Sequence, residues 1–299
     1  MPYYYTQMFL LSKDVQSVGT FYKPMFFEFP NENGAYSANP SENVMLGSSL
    51  KLSVKTSPNT NWTDDLNEYF FPEGNWCDVL HPETLCVFAT ESQTTQLPSG
   101  LKDFQVHLRE GHIIPMQNAT RIMPNTTDDM RDFPIDLHIH PRNTTQTNRT
   151  VIFQASGQYV NDNGTSPNVD NAYNHYQVFF NYRDAVNNQS NDESIVITIG
   201  VKAAASNYFS NETKCSNVTQ GDFLGSIYIF DEFGLFQHAK YFVELLRPDG
   251  TFDELGLAEF DQYTNRMVYD YNNAILHNDA AFSVCLGFVQ EIIFRPSIM

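Results

Sequence analysis

The pattern of apolar and polar positions separates a short helical start from a long series of strand-like segments. Residues 3–18 place four apolar side chains on or near one helical face, and a glycine suited to ending a helix follows them: Tyr5, Met8, Phe9 and Val15, then Gly19. Residues 21–30 form a nearly continuous apolar run that ends at a proline, typical of a strand buried on both faces in a parallel sheet. A helix followed by such a strand is one unit of an α/β barrel.

After residue 30 the pattern changes to short strands separated by glycine and proline. We predict strands over residues 44–52, 68–71, 76–80 and 104–115, with turn residues between them. Strands of this length and spacing predict a small β-sandwich over residues 31–122.

A polar stretch from residue 117 to 132 predicts a linker, and regular alternation resumes at Phe133. Further strand-like segments lie at residues 133–140, 150–155, 176–182, 194–201, 226–230, 240–246 and 282–294. They predict a second, larger β-sandwich over residues 123–299, so the chain as a whole is expected to be mainly β.

Composition and charge exclude several classes of protein. A hydrophobic content of 41% and an aromatic content of 14% exclude a disordered chain. The formal net charge of −18 argues against a nucleic-acid or anionic-membrane partner, because no run of Lys and Arg compensates for it. No stretch reaches the roughly 20 apolar residues that a membrane span requires. A neutral partner such as a sugar is compatible with this charge.

The sequence contains nine Asn-x-Ser/Thr sequons, which favour the secretory route and a secreted or lysosome-like location. They lie at Asn61, Asn118, Asn125, Asn143, Asn148, Asn163, Asn188, Asn211 and Asn217. The first residues lack the basic and apolar regions of a signal peptide, so we expect the true N-terminus to lie upstream.

Four cysteines suit two disulfides in such a compartment, most simply Cys77–Cys86 in one module and Cys215–Cys285 in the other. Four buried free thiols are the alternative. Since the sequence has no CxxC motif, zinc and redox sites of that kind have no support.

Three adjacent acidic pairs are candidates for carboxylate chemistry: Asp64-Asp65, Asp128-Asp129 and Asp231-Glu232. Retaining glycoside hydrolysis needs two carboxyl groups about 5 Å apart. In a chain with 35 acidic residues such pairs are expected without function, and we interpret them as solvated turn charges. No catalytic residue is predicted.

His138 and His140 alternate along a strand and so point to the same face, where they are able to share a metal. Neither a cysteine nor a clear third ligand lies nearby in the sequence, so a satisfied strand face beside Pro141 is the favoured interpretation. No metal site and no cofactor are predicted, and the sequence has no G-x-S-x-G, Walker or HExxH motif.

One aromatic cluster is a candidate platform for sugar stacking: Tyr69, Phe70, Phe71 and Trp76. A place in the core or in an interface is the favoured interpretation. A second cluster, Phe26, Phe27 and Phe29, is expected to expose a large apolar surface if nothing covers it.

Five stretches resemble, in order, motifs of family 31 glycoside hydrolases of the α-glucosidase type. Residues 3–18 are similar to the helix before the last barrel strand. Two stretches near the start resemble family motifs: KPMFFEFPNE (23–32) is similar to RPLFFEFPxD, and NVMLGSSLKLSV (43–54) is similar to FLLGxxLLVAPV. Two later stretches do so too: YFFPEGNWCDVL (69–80) is similar to YLPxGxWYDFW, and LKDFQVHLREGHIIPMQ (101–117) is similar to xxxIPLFVRGGSIIPLQ. The resemblance covers residues 3–120, and beyond them only β texture and position point to the distal C-terminal domain of the family.

The resemblance implies a division into three parts. Residues 1–30 are the terminal helix and strand of a (β/α)8 barrel, residues 31–122 the proximal C-terminal β-sandwich, and residues 123–299 the distal one. In the family the nucleophile lies in a WxDMNE-like stretch and the general acid in a second Asp-bearing loop, and no segment here matches either. The chain also departs from the family pattern at Lys23, at Ser53-Val54-Lys55 and at Glu110, where glycine is usual.

Two functions are compatible with the sequence. The first is the C-terminal region of an α-glucosidase that supports a barrel active site supplied upstream or by a partner polypeptide, with an α-glucoside as substrate only in that context. The alternative is a non-catalytic, glycosylated β-sandwich protein with a carbohydrate-binding or structural role. In either case we expect residues 3–30 to need a barrel partner or to pack differently.

Overall fold

The computed structural model describes residues 2–13, 19–56, 66–98, 104–118, 125–126, 129–144, 152–162, 173–183, 194–201, 224–236, 238–246, 250–270 and 291–297. Within these residues the protein is mainly β, as predicted, with nineteen strands and three α-helices. It divides into two compact units, a proximal unit of Gln7–His112 and a distal unit of Met1–Thr6 with Ile113–Met299.

The first helix, α1, spans Pro2–Lys13 and contributes residues to both units. The other elements of the proximal unit are β1 (Tyr22–Pro24), α2 (Met25–Glu28), α3 (Asn33–Ser37), β2 (Asn43–Leu46), β3 (Leu50–Ser53), β4 (Leu66–Phe71), β5 (Gly74–Asp78), β6 (Val87–Ala89), β7 (Gln93–Pro98) and β8 (Gln105–Arg109). They form a six-stranded sheet in the order β1-β2-β3-β8-β5-β6 and a two-stranded sheet of β4 and β7. Aromatic side chains from β4, β5 and the segment around α2 fill the core of this unit.

The distal unit contains the rest of the elements. They are β9 (His112–Met116), a 3-10 turn at Asp129–Asp132, β10 (Ile135–His140), β11 (Arg142–Asn143), β12 (Ile152–Asp162), β13 (Tyr173–Arg183), β14 (Ser194–Val201), β15 (Leu224–Phe230), β16 (Lys240–Leu246), β17 (Phe252–Asp261), β18 (Arg266–Tyr269) and β19 (Glu291–Pro296). The strand order is β11-β12-β13-β14-β19-β16-β17-β18-β15-β10-β9, and β9 also pairs with β12. This second pairing of β12 links the two ends of the sheet, so its strands enclose one continuous apolar core.

A glycine makes this closure possible. A Cβ atom at Gly157 on β12 would lie 2.1 Å from the carbonyl oxygen of Ile113 on β9. No side chain fits at that separation, because the neighbour is backbone and not a flexible side-chain tip. Glycine is therefore required where the two strands approach each other.

Two segments predicted as single strands each contain two strands, of which only β2 and β3 pair with each other as a hairpin. Residues 44–52 form β2 and β3 around a turn at Gly47, and residues 104–115 form β8 and β9 around a turn at Gly111. Both glycines have a positive φ, of 64° and 77° respectively. The residue with the left-handed conformation after β8 is thus Gly111. Glu110, which replaces the usual glycine, does not have a positive φ, so the backbone there does not require glycine.

The prediction of a buried parallel strand over residues 21–30 is wrong. Only Tyr22–Pro24 are extended, and β1 pairs antiparallel with β2. The chain then turns into α2, which begins directly after Pro24, where the fixed φ of proline suits a helix start.

The predicted apolar face of α1 is also wrong in part. Tyr5 and Met8 are exposed, whereas Tyr3, Thr6 and Phe9 are buried. The buried face includes a threonine because the Thr6 hydroxyl oxygen accepts a hydrogen bond of 2.9 Å from the backbone N–H of Val160 within the distal unit. Val15 lies outside the described residues.

Candidate functional site

An exposed cluster of aromatic rings marks the start of the proximal unit. The ring of Phe26 lies 5.4 Å from that of Tyr36 in a stacked arrangement and 5.2 Å from that of Phe27. Phe27 is 63% exposed and Tyr36 is 61% exposed, while Phe29 in the same segment is buried. We name Phe26, Phe27 and Tyr36 the aromatic patch. Apolar rings grouped in this way on a surface are typical of an interaction site.

Charged side chains beside the aromatic patch are paired with one another. The Lys23 ammonium lies 3.0 Å from one carboxylate oxygen of Glu28, and the Arg109 guanidinium lies 3.6 Å from the other. Arg109 also covers the rings of Phe29 and Trp76, at 4.8 Å and 5.8 Å. Lys23, where the family pattern has arginine, thus retains a basic contact to Glu28.

The proposed sugar-stacking platform is part of the core. Tyr69, Phe70, Phe71 and Trp76 are all buried. The Trp76 indole N–H donates to the carbonyl oxygen of Pro72 at 3.1 Å, so its polar atom is satisfied inside the protein. The core interpretation is therefore confirmed, and these rings are not available to a sugar.

Beneath that aromatic layer lies a buried basic pair that the sequence analysis missed. Lys51 on β3 and His107 on β8 are cross-strand partners, and both are buried. The Lys51 ammonium donates to the Ser53 hydroxyl at 2.5 Å and lies 4.1 Å from the centre of the Phe71 ring. The only signal in the sequence is a lysine inside the apolar segment LKLSV, at a position where the FLLGxxLLVAPV pattern has leucine.

Burial governs the protonation of this pair. Burial lowers the pKa of Lys51 to about 7, although the nearby aromatic rings favour the charged form. A cation–π contact of a desolvated amine contributes on the order of 2 kcal/mol, and the lowered pKa shows that burial outweighs it here. Burial, and then the charge of Lys51, hold the pKa of His107 well below its ordinary value, and its Nδ1 has no hydrogen-bond partner.

The two histidines of β10 are both buried, and Nδ1 of His138 has no hydrogen-bond partner among the described residues. The His138 ring stacks on Tyr228 at 4.7 Å, and burial together with Arg266 lowers the pKa of His138 to about 3. His140 Nε2 lies 3.6 Å from a carboxylate oxygen of Glu232. The two rings therefore contact different residues: His138 contacts Tyr228, and His140 contacts Glu232. Among the described residues, the one cluster of possible metal ligands contains neither of them.

Two aspartates of the acidic pairs, Asp129 and Asp231, accept hydrogen bonds from backbone N–H groups, and the expectation of a solvated charge is wrong for Asp231. Asp231 is buried, and its carboxylate accepts hydrogen bonds from the backbone N–H groups of Leu235 and Phe236 at 2.5 Å and 3.1 Å. Burial raises the pKa of Asp231. Asp129 accepts from the backbone N–H groups of Asn125 and Thr126, and these hydrogen bonds lower its pKa. Asp64, Asp65 and Asp128 lie outside the described residues.

The remaining predicted site residues are partly described. Cys77 and Cys86 form a disulfide, whereas Cys215 and Cys285 lie outside the described residues. Three of the sequon asparagines are described, and all three are exposed: Asn118, Asn125 and Asn143. The other six sequons, at Asn61, Asn148, Asn163, Asn188, Asn211 and Asn217, lie outside the described residues. No helix in the described part of the chain is long and apolar enough to cross a membrane.

Comparison of the sequence with known proteins identifies a matching family domain and two similar proteins. Residues 19–114 match the Glycosyl hydrolase family 31 C-terminal domain. An uncharacterized family 31 glucosidase of Schizosaccharomyces pombe is 30% identical over 140 residues, which are 46% of this chain and 13% of the relative. An alpha-glucosidase of Hordeum vulgare is 26% identical over 183 residues, which are 61% of this chain and 18% of the relative. The chain thus spans less than a fifth of either relative.

Solved structures extend the likeness in fold to nearly all of the chain. A glucosidase II alpha subunit superposes with a TM-score of 0.68 at 16% identity, covering 98% of this chain and 27% of that one. A dextranase from Flavobacterium johnsoniae superposes with a TM-score of 0.56 at 14% identity, covering 93% of this chain and 29% of that one. At these identities the superpositions show the fold alone. Residues 19–114 therefore resemble the C-terminal domain of glycosyl hydrolase family 31, and nearly the whole chain shares its fold with part of a glucosidase II alpha subunit.

Proposed function

We propose that the chain is the C-terminal region of an α-glucosidase whose catalytic barrel is supplied upstream or by a partner polypeptide. The family match and the relatives named as glucosidases support the general activity. In this proposal the barrel contributes both catalytic carboxylates and hydrolyses terminal α-linked glucose, while this chain completes and supports the barrel. An α-glucoside is a substrate only of that assembly.

The aromatic patch is the observation that carries the proposal. Phe27 and Tyr36 each leave most of the side chain in water, although the same segment buries Phe29 and Met25. Covering apolar area stabilises a complex by about 25 cal/mol for each square ångström removed from water. A barrel packed against the aromatic patch would remove these rings from water.

The paired charges at the rim favour a partner of balanced charge over a strongly charged one. Glu28 is already neutralised by Lys23 and Arg109, so docking over the aromatic patch need not strip an unpaired charge of its water. This organisation, with apolar rings at the centre and paired charges beside them, matches the usual anatomy of protein interfaces.

The test is the native mass of the protein purified from its own source, with peptide identification of everything that accompanies it. The proposal expects peptides of a family 31 barrel, either on a separate polypeptide or on a longer chain. A lone chain of 299 residues with its glycans would contradict it.

Variants of the aromatic patch locate the contact. Phe27→Ser and Tyr36→Ser should each weaken the association at least about tenfold, because exposed aromatic anchors dominate such interfaces. Tyr263→Ser is the matched control, since Tyr263 is 78% exposed and lies in the distal unit. Equal effects from all three variants would count against the aromatic patch as the barrel contact.

The alternative function, a non-catalytic carbohydrate-binding or structural protein, has less support. Its candidate sugar platform, at residues 69–71 and Trp76, consists of buried side chains. Retention of a saccharide by the isolated chain, without any barrel, would favour this alternative.

We also propose that the protein is a secreted or lysosome-like glycoprotein. The disulfide between Cys77 and Cys86 suits an oxidising compartment, and the described sequon asparagines are exposed to a transferase. The intact mass before and after enzymatic removal of N-glycans should differ, with occupancy at Asn118, Asn125 and Asn143. An unmodified chain from the native source would contradict this location.

A further inference from the structure

The two-stranded sheet of β4 and β7 covers the buried basic pair of the proximal unit. Tyr69 and Phe71 on β4 place their rings 5.6 Å and 4.1 Å from the Lys51 ammonium, and Phe71 also contacts the His107 ring edge-on at 4.9 Å. Both basic side chains are almost completely shielded from water. Water can therefore reach them only if this cover moves.

No carboxylate neutralises Lys51 in the described part of the proximal unit. Its neighbour on β8 is His107, the residue opposite it on β2 is the apolar Met45, and β4 presents the phenol of Tyr69. The carboxylate of Glu42 interacts electrostatically with Tyr69 and contributes to raising the pKa of that phenol. Among the described residues, the Lys51 ammonium donates one hydrogen bond, to the hydroxyl of Ser53. A charged amine so placed has lost its water without gaining an opposite charge.

His107 is in a similar position. Asp78 on β5 is its cross-strand partner, but the Asp78 carboxylate is engaged by His81 Nδ1 at 3.2 Å and by the backbone N–H groups of Leu80 and His81. Electrostatic interactions with Lys51 and with His81 both oppose protonation of His107. Adding a proton to either member of the pair thus increases repulsion inside the same apolar layer.

We propose that the proximal unit contains a pH switch, in which protonation of Lys51 and His107 loosens the sheet of β4 and β7 from the strands beneath it. The switch is independent of the proposed function, because it needs only groups within the proximal unit. Loosening also exposes Tyr69 and Phe71, so it changes the surface that the unit offers to other proteins.

The direction of the effect follows from proton linkage. Lys51 has a folded pKa of about 7 against an ordinary value of 10.5, so the open state binds the proton first and the closed state is progressively disfavoured as the pH falls through that interval. His107 acts in the same direction below its ordinary value of 6.5. Each group changes the opening equilibrium by up to about tenfold per pH unit within its own interval.

The experiment uses the full chain with Trp62→Phe, so that Trp76 in the proximal core is the remaining tryptophan of two. Urea unfolding followed by Trp76 fluorescence from about pH 9 to about pH 5 should show a falling midpoint over the whole range. Lys51→Met should raise the urea midpoint and make it independent of pH above about pH 7. His107→Leu should make the urea midpoint independent of pH below about pH 6. Lys240→Met, a surface lysine of the distal unit, is the control and should leave both slopes unchanged.

Hydrogen exchange separates loosening of the cover from general unfolding. After correction for the intrinsic effect of pH, the amides of β4 and β7 should lose protection on acidification before those of β3 and β8, and Lys51→Met should delay this loss. Simultaneous loss in all four strands would overturn the proposal. Wild-type slopes retained in Lys51→Met and His107→Leu would overturn it too, as would a lower midpoint for Lys51→Met at neutral pH.

Discussion

The two units reach stability by different routes. The proximal unit is built from strands of three to six residues, with a disulfide and an aromatic layer that covers a buried lysine. The distal unit contains strands of up to eleven residues, and pairing between β9 and β12 links its sheet around a continuous apolar core. Long paired strands bury enough apolar surface by themselves, whereas a small unit depends on a few special contacts.

The distal unit should therefore fail most severely where its closure is blocked. Gly157→Ala would place a methyl group against the carbonyl of Ile113, and we expect a loss of about 4 kcal/mol or more in its free energy of unfolding. Ser156→Ala, next to it on an exposed position of β12, should change stability little. Urea unfolding monitored by circular dichroism compares the two, and equal stability of both variants would refute the closure as described.

A second weak point of the distal unit is the turn after β15. Asp231→Ala removes the acceptor for two backbone N–H groups, and leaving them unpaired should cost about 3 kcal/mol. Thermal unfolding measures this cost, with the exposed Glu254→Ala on β17 as its control. If Asp231→Ala is as stable as the control, the turn does not depend on this carboxylate.

In the proximal unit, the corresponding stabilising feature is the disulfide between Cys77 and Cys86. The Cys77→Ala/Cys86→Ala double variant opens a short loop with a sequence separation of 9 residues. For a loop of this length the loss is about 2.5 kcal/mol. Trp76 fluorescence should report an earlier transition of the proximal unit, and hydrogen exchange of β12 and β13 should stay unchanged. If only the distal strands lost protection from hydrogen exchange, the disulfide would not be a stabilising feature of the proximal unit.

The smallest effect concerns the distal histidine. His138 has a folded pKa of about 3 against an ordinary value of 6.5, so the unfolded state binds the proton first and stability falls as the pH drops below 6.5. The contribution lost by about pH 5 is about 2 kcal/mol. His138→Phe keeps the stacking on Tyr228 and should remove this dependence, whereas the exposed His238→Gln should retain it. Matching pH profiles for both variants would show that His138 is not the responsible group.

Alternation along the chain predicted much of the distal unit. The segments 194–201 and 240–246 coincide with β14 and β16, because each is a short, mostly apolar segment bounded by polar residues. The pattern missed β17 and β18, in which charged residues interrupt the apolar positions. It also merged β2 with β3 and β8 with β9 into single strands, since Gly47 and Gly111 interrupt apolar runs without any change in hydrophobicity.

The candidate sites were harder to predict for a physical reason. A sequence shows that Lys51 lies between two leucines, but it does not show that a second sheet covers the face on which Lys51 projects. The same limit applies to residues 21–30, where an apolar run predicts burial and the structure leaves Phe27 exposed. Family motifs located the proximal domain more reliably, because turn residues such as Gly47 and Gly111 belong to those motifs.

The most direct test of the proposed role is an α-glucosidase assay on the pure 299-residue chain, alone and after mixing with the barrel-bearing polypeptide from its native source. The expected result is no hydrolysis by the chain alone and hydrolysis once the barrel is present, with Phe27→Ser reducing the recovered activity. Full activity of the isolated chain would contradict the need for a barrel supplied from elsewhere.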